Sequence, residues 1–257
     1  MNLSFSPTVC PEALLSDALE MAKNAGFDRI ELFRAWTESS PIHADTSVRM
    51  VRECLQAAGV TLTGLNVRNL TGRKADSDER NLHYNLVQVE WDIHLARALG
   101  LKTANLKGGA RTQEAQEDLI EGVNQLLERV PDVTLNLENH MGSRLQDLAD
   151  YQTVMPHLDG RVRILLDTGH LLSAGGDILQ FAETFADRIG LVHLRDQQGD
   201  QPVPFGEGDL PFEGLIRTLK GAGYDGSLVV ELEGVTWADP AEAARTEREY
   251  VEKILAA

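Results

Sequence analysis

The sequence predicts a (β/α)8 barrel of the α/β class, formed by one domain over residues 1–257. Short β-like runs alternate with amphipathic helical segments eight times, which is the number that closes such a barrel. No proline- or serine-rich linker and no change of composition divides the chain. The segment SPTVCPE after the first strand lacks the glycine-rich phosphate turn of many doubly wound sheets, so an open sheet is the less favoured alternative.

The eight predicted strands are short and rich in apolar residues, as expected for a buried parallel sheet. In chain order they cover residues 2–6, 28–33, 61–67, 102–107, 133–138, 162–167, 189–194 and 228–233. Successive side chains of a strand point to opposite faces. In the fifth strand, Leu135 and Leu137 should therefore meet the outer helices, while Asn136 and Glu138 should face the barrel axis.

The eight predicted helices lie near residues 11–25, 46–58, 79–99, 113–129, 144–158, 177–187, 211–222 and 240–256. Each shows apolar residues at the three-to-four-residue spacing of a half-buried helix. Glycines that suit left-handed C-caps follow four of them: Gly26, Gly59, Gly100 and Gly223. The polar stretch 68–80 is the longest predicted loop, and it follows the third strand at the catalytic end of the barrel.

The composition is that of a globular protein, with 42% hydrophobic and 25% charged residues. The formal net charge of −16 disfavours long nucleic-acid partners, because an acidic surface repels phosphate backbones. No apolar run is long enough for a membrane span, and the N-terminus resembles no signal peptide, so we expect a cytoplasmic protein. Cys10 and Cys54 are too few for a disulfide framework and are expected to be small buried residues.

Four ionisable residues close the strands of the second half of the chain: Glu138, Asp167, His193 and Glu231. The carboxyl ends of barrel strands meet at one mouth, where loops build active sites. Three carboxylates and an imidazole at one point would repel each other unless a cation lay between them. We therefore predict a divalent metal ion, with Mn²⁺ preferred over Mg²⁺, Co²⁺ or Zn²⁺. The alternative for any one acidic residue is an ordinary helix N-cap.

The segments NLENH, LLDTGH, VHLRD, FGEGDLPFEGLI and GYDGSLVVELEG resemble the xylose-isomerase-like TIM-barrel superfamily of sugar isomerases and epimerases, inosose-processing enzymes and apurinic endonucleases. The resemblance covers most of the C-terminal half in the family's order. It implies metal ligation by Glu138, Asp167, His193 and Glu231. His170 then matches a substrate-contacting histidine of the epimerases, or a second-metal ligand of the nucleases.

Departures from the family weaken the nuclease alternative. Where the three-metal nucleases have histidines at the ends of strands 3 and 4, this chain has Thr63 and Lys107. The segment GDQPVPFGEGD also lacks the nucleases' Asp-x-His pair. The epimerases' arginine beyond the strand-7 histidine is not in place, and Arg195 is the candidate substitute.

The resemblance implies proton transfer next to a carbonyl, so the favoured function is a metal-dependent isomerase or epimerase of a ketose or related keto-sugar. A cation that chelates the carbonyl would stabilise the enediolate formed when the α-proton leaves. Glu138 and Glu231 are the predicted catalytic residues, which remove and return this proton. The predicted substrate-binding residues are Lys107, His170, Arg195 and Glu31, and Glu31 is equally a candidate partner of the metal site.

Alternatives use the same site. A lyase would expel a β-hydroxyl from a keto-cyclitol or a dehydroshikimate-like acid after the same proton abstraction. A phosphodiesterase and a non-catalytic sugar-binding protein are less favoured. The segment KGGAR at 107–111 could bind a substrate phosphate through backbone N–H groups and Arg111, although a plain strand-to-helix turn is the simpler interpretation. The expected partner is a small sugar or keto-acid substrate, and the sequence leaves open whether the barrel also forms a homo-oligomer.

Overall fold

Eight parallel strands close into a barrel in the computed structural model, which describes residues 1–34, 37–43, 45–71 and 81–257. They are β1 (Asn2–Phe5), β2 (Arg29–Phe33), β3 (Thr61–Asn66), β4 (Thr103–Lys107), β5 (Thr134–Glu138), β6 (Arg163–Asp167), β7 (Ile189–Leu194) and β10 (Ser227–Val230). Around the barrel their order is β1-β10-β7-β6-β5-β4-β3-β2. The predicted fold class and all eight predicted strands are therefore confirmed.

Nine helices flank the barrel within these described ranges: α1 (Leu15–Asn24), α2 (Val48–Ala58), α3 (Leu82–Ala98), α4 (Gln113–Arg129), α5 (Leu148–Val154), α6 (Thr168–Ser173), α7 (Ile178–Phe185), α8 (Phe212–Gly221) and α9 (Pro240–Ala256). None of them combines the length and the apolar composition needed to cross a bilayer. Side chains of Ser47, Asn81 and Thr112 cap the N-termini of α2, α3 and α4, because each oxygen accepts a backbone N–H of the first turn.

The glycine C-caps are confirmed, since all four predicted glycines adopt positive φ angles. One α-helix and one β-hairpin were not predicted. Helix α6 follows β6 without a loop, and the antiparallel hairpin of β8 (Asp196–Gln198) and β9 (Gln201–Val203) follows β7. Residues 72–80 of the predicted loop, and the first two residues of the predicted third helix, lie outside the described residues.

Polar side chains of β2, β4 and β5 line one part of the barrel axis. Apolar side chains of β6, β7 and β10 line the other part. Asn136 donates a hydrogen bond to Asn105 at 2.8 Å, and Asn105 donates to Oε1 of Glu31 at 2.7 Å. A separate apolar cluster of Leu165, Leu191 and Val229 fills the other part of the interior. The predicted inward orientation of the polar face of the fifth strand is confirmed.

Two boundary predictions need correction. Thr63 does not end the third strand: its hydroxyl lies inside the barrel, 2.8 Å from that of Ser4, and the strand ends at Asn66. The last strand ends at Val230, so Glu231 lies just beyond it. The Glu231 N–H still donates to the carbonyl oxygen of Leu194 at 3.2 Å, which fixes its backbone at the rim.

A buried carboxylate organises the loop between β9 and α8. Asp196 accepts the backbone N–H groups of Gly206, Gly208 and Leu210 at 2.8, 3.1 and 3.0 Å. Glu247 of α9 accepts the Phe205 N–H at 3.1 Å, which ties the same loop to the last helix. Backbone donors that would otherwise be buried without partners are thereby satisfied.

Stability should depend on the protonation of Glu247. Burial, together with repulsion from Glu207 and Asp196, raises the pKa of this carboxyl from 4.5 to about 7, although the Phe205 N–H opposes the shift. The folded state holds the proton more tightly, so stability is lost as pH rises from about 4.5 to 7. The free energy of unfolding, measured in urea, should fall by roughly 1–3 kcal/mol over this pH range because of Glu247. We expect the Glu247→Gln variant to lack this decrease.

The matched control is Glu249→Gln, because Glu249 lies two residues away on the same helix and is exposed. It should show the same pH dependence of the free energy of unfolding as the unmodified chain. An unchanged pH profile for Glu247→Gln would contradict the role given to this carboxyl.

Candidate active site

A cavity of about 890 Å³ opens at the carboxyl ends of the barrel strands. Seven of the eight predicted site residues line it: Lys107, Glu138, Asp167, His170, His193, Arg195 and Glu231. The eighth, Glu31, lies beneath the cavity and is fully buried. The topology therefore brings together side chains of β4, β5, β6 and β7 and of residues that follow β6, β7 and β10, as the sequence predicts.

His193 lies between two carboxylates. Its Nε2 is 2.7 Å from Oε2 of Glu31, and its Nδ1 is 2.9 Å from Oε2 of Glu231. Burial opposes a charge on this imidazole, but the two carboxylates outweigh it and raise the pKa of His193. Nδ1 is buried and makes no well-aligned hydrogen bond to any described residue, despite the short distance to Glu231. The bond to Glu31 fixes the proton on Nε2, so Nδ1 can bind a proton or a metal ion.

Asp167 is held in place through its backbone and its side chain. Asn139 donates to its carbonyl oxygen and accepts its N–H, both at 2.8 Å. Oδ1 caps α6 by accepting the His170 N–H at 2.8 Å, and Oδ2 lies 3.4 Å from Nη1 of Arg195. Burial would raise the pKa of Asp167, but His170, Arg195 and His193 outweigh it and hold the pKa well below its ordinary value. Oδ1 of Asp167 is thus an ordinary helix N-cap, as in the alternative interpretation, whereas Oδ2 lies at the cavity.

Among Glu138, Asp167 and Glu231, Glu138 has the weakest counter-charge. Its Oε1 is 3.6 Å from Nζ of Lys107, a side chain that is itself 37% exposed. Burial raises the pKa of Glu138 to about 7, and attraction to Lys107 and His193 only partly offsets this. Burial would also raise the pKa of Glu231, but the adjacent His193 outweighs it and lowers the pKa. The site therefore separates the proton affinities of its two glutamates.

His170 and Arg195 form the polar edge of the site beside Asp167. Nε2 of His170 lies 3.3 Å from Nη1 of Arg195 and 4.0 Å from Oδ2 of Asp167. A glycine is required at position 169, because a Cβ on Gly169 would lie 2.7 Å from Cβ of Arg195. Glu233, at 3.6 Å from Nη1 of Arg195, adds a second carboxylate to this cation.

The described residues offer two groups of metal donors, within each of which the ligand atoms lie within 4.8 Å of one another: Glu138 with Asp167 and His170, and Asp167 with His193 and Glu231. Three of the four predicted ligands fall in the second group, and Asp167 belongs to both. A divalent cation could replace the proton on Nδ1 of His193, which lacks an aligned hydrogen-bond partner, and the hard carboxylate oxygens suit such an ion. The residues that could hold the ion are therefore Asp167, His193 and Glu231, with Glu138 on the other side of Asp167.

The position of Glu31 differs from that predicted for a substrate contact. Its Oε1 accepts from Asn105 and its Oε2 binds His193, so both oxygens are used inside the barrel. Gly64 leaves room for it, since a Cβ there would lie 2.7 Å from Oε1. This geometry fits the alternative role of a partner that orients His193.

Sequence reasoning missed several residues of the cavity wall. The ring of His140 contacts that of His170, with ring centroids 3.8 Å apart and ring planes tilted by 41°, and burial lowers the pKa of His140 to about 4. The histidine is visible in the NLENH segment, two residues after Glu138. Arg34, Asn66 and Arg68 also line the cavity, and each ends or follows a strand, which is the signal that could have identified them. Arg111 of KGGAR instead donates to Asp150 and the Ser143 carbonyl.

Comparisons with known proteins give one family. The family model described as "Xylose isomerase-like TIM barrel" matches residues 19–254 of this chain. A protein of Geobacillus thermodenitrificans named inosose dehydratase is 31% identical over 164 residues, which cover 54% of this chain and 55% of that protein. The chain thus spans little more than half the length of the inosose dehydratases it matches.

Two further similarities extend over nearly the whole chain. A protein of Streptomyces coelicolor named "Putative hydroxypyruvate isomerase" is 28% identical over 260 residues, which cover 90% of this chain and 88% of that protein. The solved structure of an IOLI protein with a binding zinc atom has a TM-score of 0.82 at 19% identity, and covers 100% of this chain and 98% of that one. At this identity the structural match shows the fold alone.

The Glu31–His193 contact can be tested through metal affinity. Glu31→Gln removes the charge that orients and polarises the imidazole, so divalent-metal affinity should fall by roughly 10–100-fold. Titration of Mn²⁺ and Zn²⁺ into the purified protein by calorimetry measures it. The exposed Glu20, changed to Gln, provides the control and should leave the affinity unaltered. Equal affinities for Glu31→Gln and the unmodified chain would remove this residue from the metal site.

Proposed function

The chain belongs to the xylose isomerase-like TIM barrel family, and on this basis we propose that it is a divalent-metal-dependent isomerase or epimerase of a ketose or related keto-sugar. The observation that carries the proposal is the pair of buried glutamates with opposed proton affinities. Glu138 and Glu231 line one cavity. They belong to different groups of metal donors, and Asp167 belongs to both groups. The near full-length similarity to a protein named as an isomerase supports the same reaction class.

Proton transfer requires one glutamate that accepts a proton and one that supplies it. Glu231 has a lowered pKa beside His193, so it is the carboxylate that accepts the α-proton. Burial raises the pKa of Glu138, so this carboxyl group is the one proposed to carry the proton and return it. Because the two residues lie on different sides of Asp167, a substrate carbon between them could lose a proton to one and regain it from the other.

A divalent cation, for which we favour Mn²⁺, would offset the negative charge that develops on the substrate oxygen when the α-proton leaves. Asp167, His193 and Glu231 are the residues proposed to hold it, with Glu138 completing the set. The zinc atom of the structurally similar IOLI protein supports a divalent ion. Arg195 and Lys107 offset charge at the cavity wall, and His170 offers Nε2 to a substrate hydroxyl.

A dehydratase is the second candidate, because the chain is 31% identical to a protein named inosose dehydratase over 164 residues. The same α-proton abstraction would then be followed by departure of a β-hydroxyl, which takes up a proton and leaves as water. Lys107 or His170 could supply that proton. Both side chains line the cavity near Glu138 and Asp167.

The two reactions differ in product mass. Metal-loaded protein is incubated in deuterium oxide with a panel of ketoses and keto-cyclitols, and the products are analysed by mass spectrometry. An isomerase or epimerase should introduce deuterium at an α-carbon without loss of water, whereas a dehydratase should release one water per turnover. Absence of exchange and of water loss across the panel would contradict both candidates.

Removal of either glutamate should abolish proton exchange. Glu138→Gln and Glu231→Gln each keep the side-chain shape but cannot transfer the proton, so exchange should fall by about a hundredfold to ten-thousandfold. Elemental analysis of the same samples separates loss of chemistry from loss of metal, and Glu20→Gln is the control. A variant that keeps both its metal and its exchange rate would lose its proposed catalytic role.

A further inference from the structure

A second polar cluster lies across the cavity from the carboxylates. Arg34 follows β2, Asn66 ends β3 and Arg68 follows two residues later, and all three line the cavity. In the closed order of the barrel, β2 and β3 lie opposite β6 and β7, which carry Asp167 and His193. The backbone N–H of Arg34 donates to the carbonyl oxygen of Asn66 at 2.9 Å, so the cluster is tied together. A bound substrate would therefore meet acidic residues on one side and this basic cluster on the other.

One buried carboxylate holds both guanidinium groups. Asp92 of α3 is 1% exposed; its Oδ1 accepts Nε of Arg34, and its Oδ2 accepts Nε of Arg68 at 2.8 Å. Gln88 accepts a third hydrogen bond, from Nη1 of Arg68 at 2.9 Å. Two guanidinium groups share a single carboxylate, so the cluster keeps one excess positive charge. Within the described part of the chain, both terminal nitrogens of Arg34 and Nη2 of Arg68 have no acceptor.

Asn66 supplies an independent sign of a ligand. The residue is only 7% exposed, yet neither Nδ2 nor Oδ1 has a hydrogen-bond partner among the described residues. Burial of an unpaired amide is unfavourable, and native structures seldom retain one without a reason. A buried donor and acceptor at the wall of a cavity can be satisfied by a hydroxyl group of a bound molecule.

We propose that the substrate carries an anionic group, a phosphate ester or a carboxylate, at the end remote from its reacting carbonyl. Arg34 and Arg68 bind this group, because planar guanidinium donors match oxyanions and Asp92 has already fixed their orientation. Asn66 binds a hydroxyl of the intervening carbon chain. A cavity of about 890 Å³ accommodates a phosphorylated or acidic sugar of this kind.

The inference rests on the proposed function only for the position of the carbonyl, so it is tested by binding rather than turnover. D-fructose, D-fructose 6-phosphate and D-fructuronate share one carbon chain and differ in the terminal group. Each is titrated into metal-loaded protein by calorimetry. At least one anionic ketose should bind at least about tenfold more tightly than fructose. The ketose that binds more tightly shows whether the site prefers a phosphate or a carboxylate group.

Arg68→Gln should weaken binding of the preferred anionic ketose by at least about tenfold and weaken binding of fructose much less, so that the advantage is lost. Arg97→Gln is the matched control, because this arginine is 42% exposed, pairs with Asp132 and does not line the cavity. Asn66→Asp adds a negative charge beside the arginines and should weaken the anionic ketose more than fructose. Thermal unfolding of each variant confirms that it is folded.

Inorganic phosphate and acetate provide a measurement that does not depend on sugar stereochemistry. One of them should bind the unmodified protein saturably and bind Arg68→Gln at least about tenfold more weakly. The inference is overturned if both anionic ketoses bind no more tightly than fructose and if phosphate and acetate each bind the two proteins alike. If the protein catalyses deuterium exchange but does not prefer the anionic ketoses, this inference alone is overturned. If it prefers the anionic ketoses but catalyses no exchange, only the proposed function is contradicted.

Discussion

The imidazole of His193 lies between two buried carboxylates, and the geometry of the site depends on this contact. Glu31 binds Nε2 at 2.7 Å and is itself held by Asn105, which is bound by Asn136. A hydrogen-bonded chain therefore runs through the barrel interior from β5 to β7. In a low-dielectric interior such a chain fixes tautomer and orientation more firmly than a single contact does. The polar side chains inside the barrel act as the support of the site at its mouth.

Three of the cavity carboxylates, Glu138, Asp167 and Glu231, differ in how far each is neutralised. Asp167 contacts Arg195 and caps α6, and Glu231 lies beside His193, so both are held below their ordinary pKa values. Glu138 has only the partly exposed Lys107, at 3.6 Å, and keeps a raised pKa. Differences in local pairing thus give these three carboxyl groups different proton affinities.

The sequence was sufficient for the barrel and for the carboxylate side of the site, because both follow from local patterns. Alternating apolar residues define the strands, and parallel strands bring their carboxyl ends together. Helix α6 and the β8–β9 hairpin were missed because they are too short to show a period and depend on Asp167 and Asp196. The Arg34–Asp92–Arg68 contacts join residues that are 58 and 24 positions apart, and no local pattern encodes them. The depth of Glu31 depends on the stagger of the strands, which a single sequence does not reveal.

Charge is distributed unevenly between the cavity and the rest of the molecule. Among the described residues that line the cavity, four carboxylates face four cationic side chains: Arg34, Arg68, Lys107 and Arg195. The whole chain, by contrast, has 40 acidic and 24 basic residues, so its acidic excess lies outside the cavity. At physiological ionic strength, repulsion between exposed charges fades beyond about 8 Å, whereas charges inside a cavity interact through a lower dielectric. A long polyanion meets the acidic exterior along its whole length, but a small anion that enters the cavity meets a balanced site. This uneven distribution of charge is consistent with the proposed binding of a single phosphate or carboxylate group in the cavity.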